Sequence, residues 1–156
     1  MSSFAEQLAV GVDHERRVAA ESEARGWTVT PWGQSMLPAV TRRAMRDTRF
    51  QHFPDIVAAR PGEIVTIDAK DSMPSTETGR YAVSQKCVQF GLQFFAAFGL
   101  PVFYVFSNLG VLCPTEVTSY GRLGPPSSGG AYYLVDGRYA HLFDDVFGRP
   151  AGSMAA

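Results

Sequence analysis

The chain has 156 residues, 46% of them apolar, which suits one globular domain with a sizeable core. Its formal net charge of −1 excludes a uniformly basic, histone-like binder, so any contact with nucleic acid must come from a local patch. Cys87 and Cys113 each lie in an apolar run; they cannot make a disulfide framework and point to a reducing interior.

In chain order, Ser3-Phe4-Ala5-Glu6 has capping-box spacing and opens a first helix. Its apolar stripe runs through Phe4, Leu8 and Val12 to Val18 or Ala19, Gly11 weakens its middle, and Arg25-Gly26 is its stop signal. Trp27 to Trp32 reads as a first strand. Residues 33–53 form a partly helical connector holding Arg42, Arg43, Arg46 and Arg49 against one acid, Asp47. Two strands follow, one over Pro54-Asp55-Ile56-Val57-Ala58 and one over residues 64–70. They are joined at Arg60-Pro61-Gly62-Glu63, a Pro-Gly turn signal.

A polar loop then spans residues 71–79, and a second helix is expected from about Arg80 to Phe98, stopped by Gly99-Leu100-Pro101. Val102 to Phe106 is a fully apolar strand, and residues 121–130 form a Gly/Pro/Ser loop. Asp136-Gly137 between Tyr132–Val135 and Arg138–Leu142 signals a β-hairpin. The reading is one domain over residues 1–149 with a flexible tail over 150–156. No stretch suits a bilayer span, and the N-terminus lacks the pattern of a signal peptide, so the expected setting is the cytoplasm.

The chemistry is concentrated where the two joined strands meet. A turn centred on Pro61-Gly62 sets Asp55 opposite Asp68, and opposed residues point to the same side of a sheet. Lys70, two residues beyond Asp68, shares that side, whereas Ile56, Ala58, Val65, Ile67 and Ala69 take the other and form pure core. Two facing aspartates repel unless a cation lies between them. With oxygen donors only, Mg²⁺ or Mn²⁺ is the fitting ion. Glu15 falls about 20° round the first helix from Phe4, on the apolar stripe, where a carboxylate is costly unless paired or metal-bound. The competing reading is a helix broken at Gly11 that leaves Glu15 in solvent.

On the second helix, Gln85, Gln89 and Gln93 form one polar stripe. Gln85 lies nearest the strand ends, within reach of Lys70 or a phosphate. The surplus of phenylalanine on this helix is expected to form a dimer interface. The connector arginines and His52 are candidate phosphate contacts beside such a site. No Walker-type phosphate loop, Rossmann fingerprint or nucleophile with a His/Asp partner pattern is present.

These residues in this order resemble the PD-(D/E)XK nuclease superfamily, and within it the archaeal-type Holliday junction resolvases. The resemblance runs through Glu15-Arg16, Gly26-Trp27-Thr28-Val29, Pro54-Asp55-Ile56-Val57-Ala58, Asp68-Ala69-Lys70, Gln85 and the strand from Pro101 to Phe106. It implies an α/β, restriction-endonuclease-like core: a mixed central sheet flanked by helices in the order α-β-β-β-α-β, here extended by the hairpin. It further implies a metal held by Glu15, Asp55, Asp68 and the carbonyl of Ala69, with Lys70 orienting or activating the attacking water. The implied activity is metal-dependent cleavage of DNA, branched DNA included, by a homodimer. The resolvases usually carry Glu where this chain has Asp68, and the connector before Pro54 is longer than the family's. A restriction-like or repair nuclease acting on duplex, flap or single-stranded DNA is the nearest alternative. A non-catalytic nucleic-acid-binding module is the alternative of another class.

Overall fold

The computed structural model describes residues 4–32, 37–48, 52–125 and 127–153, with the side chains of residues 4–10 left out of the description. The sequence's capping box at Ser3, the Phe4 and Leu8 stripe and Arg49 therefore lie outside it. Helix α1, Phe4–Glu23, runs unbroken through Gly11, and Gly26 follows it at φ 86°, the left-handed conformation that glycine adopts freely. Strand β1 is Thr28–Pro31, and the arginine-rich connector contains a short helix α2, Ala39–Met45, with no buried residue. Strands β2 (Ile56–Arg60) and β3 (Glu63–Lys70) form the expected hairpin, in which Ile56 faces Ile67 and Arg60 faces Glu63.

The second helix is shorter than its sequence suggests. Residues Arg80–Ser84 form strand β4, and helix α3 covers Gln85–Phe98, capped by the Ser84 hydroxyl, which accepts from the Cys87 N–H. Tyr81 and Val83 alternate into the core with the period of a strand, and Ser84 is a strong N-cap; together they displace the helix start by five residues. Gly99 closes α3 in the left-handed conformation, as the sequence signals. The apolar strand β5 is Val102–Phe106, followed by β6 (Val111–Leu112) and helix α4 (Pro114–Tyr120).

The Asp136-Gly137 hairpin does not form. Strand β8, Tyr132–Asp136, pairs antiparallel with β4 on one side and with the short strand β7, Arg122–Leu123, on the other. A two-residue hairpin turn of the expected kind needs positive φ at its centre, and Gly137 is not among the positive-φ glycines. Its lack of a side chain serves a close approach instead: a Cβ there would stand 2.7 Å from the Gly79 carbonyl, to which its N–H donates. The Asp136 side chain accepts from the Arg138 N–H, and the chain turns through a 3₁₀ segment, Gly137–Tyr139, before helix α5, Phe143–Phe147.

The main sheet runs β1-β2-β3-β5-β6, antiparallel except for the parallel β3–β5 pair, and a second sheet runs β4-β8-β7. Each face of the main sheet has its own core. Ile56, Ala58, Val65, Ile67 and Val105 pack with Val18 of α1, Trp27, and Phe143 and Phe147 of α5. Val102, Tyr104 and Phe106 pack on the reverse with Val88 and Phe94 of α3, Val117 of α4 and the second sheet. Gly91 sets how closely α3 lies: a Cβ there would come within 2.7 Å of the Tyr104 hydroxyl and of Pro114. Among the described residues no helix is long and apolar enough to cross a membrane.

Candidate active site

The β2–β3 register, continued one residue past the start of β2, sets Asp55 against Asp68. The Asp55 carboxylate also accepts from the backbone N–H of Ala69 at 2.8 Å, which fixes it beside the second strand. The parallel register sets Asp68 against Tyr104 and Lys70 against Phe106, so all four side chains lie on the face covered by α3. There Lys70 Nζ lies 3.1 Å from an Asp68 oxygen, donates to Cys87 Sγ at 2.9 Å and stands 5.4 Å from the Tyr104 ring centre. Cys87 Sγ in turn lies 3.5 Å from the same Asp68 oxygen, and its carbonyl accepts from the Tyr104 hydroxyl.

Charge at this end of the sheet is unbalanced. Burial, then the negative fields of Asp68 and Glu15, push Asp55 up to about 8, against the help of the Ala69 N–H and Lys70. Glu15 is raised by burial and then by Asp68. Burial disfavours the Lys70 ammonium, but Asp68 and Cys87 more than offset it, so Lys70 is held above its ordinary value and stays a cation. Burial, with Asp68 behind it, likewise keeps Cys87 a thiol. Glu15 arrives from α1, which packs on the opposite face of the sheet; it joins the group through electrostatic coupling to Asp55 and Asp68. Its neighbour His14 is buried, with Nε2 2.9 Å from the Val105 carbonyl.

Asp55 and Asp68, with Glu15 coupled to both electrostatically, offer oxygen donors of the kind a hard divalent cation takes, with no nitrogen or thiolate donor required. Among the described residues, no group of three or more His, Cys, Asp and Glu side chains closes into a metal cluster as placed. One Asp68 oxygen is turned to Lys70 and one Asp55 oxygen to the Ala69 N–H, which leaves each acid a second oxygen to offer. The donor chemistry therefore fits Mg²⁺ or Mn²⁺.

Other expected site residues are more dispersed. Gln85 is the first residue of α3 and its backbone N–H donates to the Ala131 carbonyl; the side chain that meets Lys70 from this helix is Cys87. Cys87 was legible in the sequence only as an apolar-run cysteine. Arg42 and Arg43 in α2, and Arg46 just after it, are exposed. His52 comes close: its ring packs at a tilt against Phe90, with centroids 4.2 Å apart. Burial, then Lys86, lower its pKa, while Asp68 opposes them. A cavity of about 290 Å³ opens between the segment before β2 and helix α3, with Asp55, Asp68 and Lys70 in its lining.

No family model matches the chain, and no curated protein sequence matches it. Its fold does match solved structures. One is the Holliday junction resolvase Hjc of the archaeal hyperthermophile Archaeoglobus fulgidus, with a TM-score of 0.57 at 15% identity over 89% of this chain and 96% of that one. Another is D212, a nuclease from a fusselovirus, with a TM-score of 0.52 at 11% identity over 94% of this chain and 92% of that one. The chain thus has the resolvase-type, restriction-endonuclease-like fold: a five-strand mixed sheet flanked by helices.

Proposed function

We propose that the chain is a metal-dependent endonuclease that hydrolyses DNA phosphodiester bonds, with junction-type branched DNA as the leading substrate. The observation that carries this reading is the Asp55–Ala69–Asp68–Lys70 arrangement on a fold shared with two nucleases. Asp55 and Asp68, with Glu15 and the Ala69 carbonyl, would hold Mg²⁺ or Mn²⁺, which when bound polarises the phosphate and lowers the pKa of water.

The chain's own groups account for the rest. Lys70, kept charged by Asp68 and Cys87, is a donor and not a base at neutral pH. It would orient the attacking water and counter the negative charge that builds on the oxygens of the pentavalent phosphorane as the leaving oxygen departs. Gln85, at the head of α3, would steady the scissile phosphate. Arg42, Arg43 and Arg46 on the exposed connector, Arg49 beyond the described residues, and His52 would grip flanking phosphates and make affinity fall with salt. A junction presents two strands to cut, which calls for a homodimer; the half-exposed Phe95 and Phe98 of α3 offer an apolar contact for it.

A cleavage panel tests the proposal: labelled four-way junction, flap, nicked and linear duplex, each with Mg²⁺ and with Mn²⁺. Paired cuts across the junction are the expected result. Preferential cutting of flap or linear DNA would move the chain to the repair-type or restriction-type alternative. No cleavage of any substrate, with no heat of Mn²⁺ binding by calorimetry, would leave only the non-catalytic binding module.

A further inference from the structure

The cavity beside the acids has a wall that phosphodiester chemistry does not use. His52 and Phe53 line it from the segment before β2, and Phe90 and Phe94 line it from α3. The His52 and Phe90 rings lie 4.2 Å apart, and Phe53 meets Phe94 edge-on at 6.2 Å. Exposure falls steadily inward, from His52 at the mouth through half-buried Phe90 and Phe53 to Phe94 at 7%. Lys86, also in the lining, sets its ammonium 5.8 Å from the Phe90 ring centre.

We infer that this cavity receives one unpaired nucleobase next to the scissile phosphate, so that the substrate carries an extrahelical or single-stranded nucleotide at the cut. The inference rests on the nuclease reading for the position of the phosphate. Protein interiors leave few voids larger than a water, yet these rings, together with the acids and Lys70, line an open cavity of about 290 Å³, close to the lower range of small-molecule sites. A nucleotide has a flat apolar face and an anionic end, and the cavity offers both complements: aromatic faces within, Lys70 and Lys86 at the polar margin. A base stacked and paired in a duplex cannot enter; a flipped or unpaired one can, and stacking on aromatic side chains holds it with little regard to sequence.

The test places 2-aminopurine in an oligonucleotide duplex, either as a single-nucleotide bulge or fully paired, and titrates it with purified protein in EDTA and again in Ca²⁺. The bulged form is expected to bind about tenfold tighter, with quenched fluorescence as the base stacks. Phe90→Leu should remove both effects and Phe90→Tyr should retain them, circular dichroism verifying that each variant folds. Equal affinity for the two forms, or a bulge preference that survives Phe90→Leu, overturns the inference. The two readings fail separately. Cleavage in Mg²⁺ without bulge preference sinks the base pocket alone, whereas bulge binding without any cleavage sinks the nuclease and leaves the pocket.

Discussion

The two faces of the central sheet handle charge in opposite ways. On the side of α1 and α5, Arg25 bonds both Glu21 and Asp144 and lies over the Phe143 ring, while Arg60 pairs with Glu63 and lies 4.2 Å over Trp27. The Trp27 indole donates to the Phe147 carbonyl, and the buried Ser22 hydroxyl donates within its own helix. On the side of α3, Asp55 is held far from its ordinary protonation, and Asp68 and Lys70 share a thiol as neighbour. One face spends its interactions on stability; the other keeps buried acids whose like charges and desolvation work against the fold.

Substitutions that treat the faces alike should therefore give opposite results. The largest effect is expected from Lys70→Ala and Asp68→Ala, which should lower cleavage by about a thousandfold or more while DNA binding in a gel-shift assay largely survives. On the other face, Phe147→Ala removes a fully buried ring in contact with Trp27, Phe103 and Phe143. It should cost about 3–5 kcal/mol in urea unfolding.

Asp55→Asn sharpens the contrast, because it should stop cleavage and yet raise the metal-free Tm at pH 8 by about 2–4 °C. The sign follows from linkage. Asp55 is raised from an ordinary value of about 4 to about 8, so between those limits the folded state holds the extra proton. Metal-free stability should thus be highest below about pH 4 as far as this group is concerned, and be lost as pH rises toward 8. Mn²⁺, which favours the deprotonated acid, should flatten that slope in thermal melts of wild type but not of Asp55→Asn. The smallest effect is expected at Cys87: Cys87→Ala should lower kcat several-fold with KM little changed, and Cys87→Ser should restore most of the rate.

What could be read from the chain divides by the distance over which residues cooperate. The β2–β3 register and the convergence of Asp55, Asp68 and Lys70 were legible because Pro61-Gly62 fixes the pairing of immediate neighbours, with Gly62 at φ 78°. Strand β4 was not, because Tyr81 and Val83 alternate over only five residues before a strong helix begins, and its partner β8 lies some fifty positions away. The same remote pairing hid the true role of Asp136-Gly137. Cys87 escaped because a thiol becomes informative only once Lys70 and Asp68 are seen on either side of it. Helix α4, which holds the back of α3, carries Glu116 paired with His141, a contact between distant segments that no local pattern announces.

The missing side chain at Gly91 has a mechanical consequence for all of this. With the Tyr104 hydroxyl and Pro114 filling the space a methyl group would need, α3 is seated to its full depth, and that depth decides where Cys87, one turn earlier, meets Lys70. A bulkier residue would act as a wedge, tipping the reactive end of the helix away from the strands while its outward glutamines, Gln89 and Gln93, remained free to vary. Position 91 is in effect the shim that calibrates the lysine from the far side of a turn.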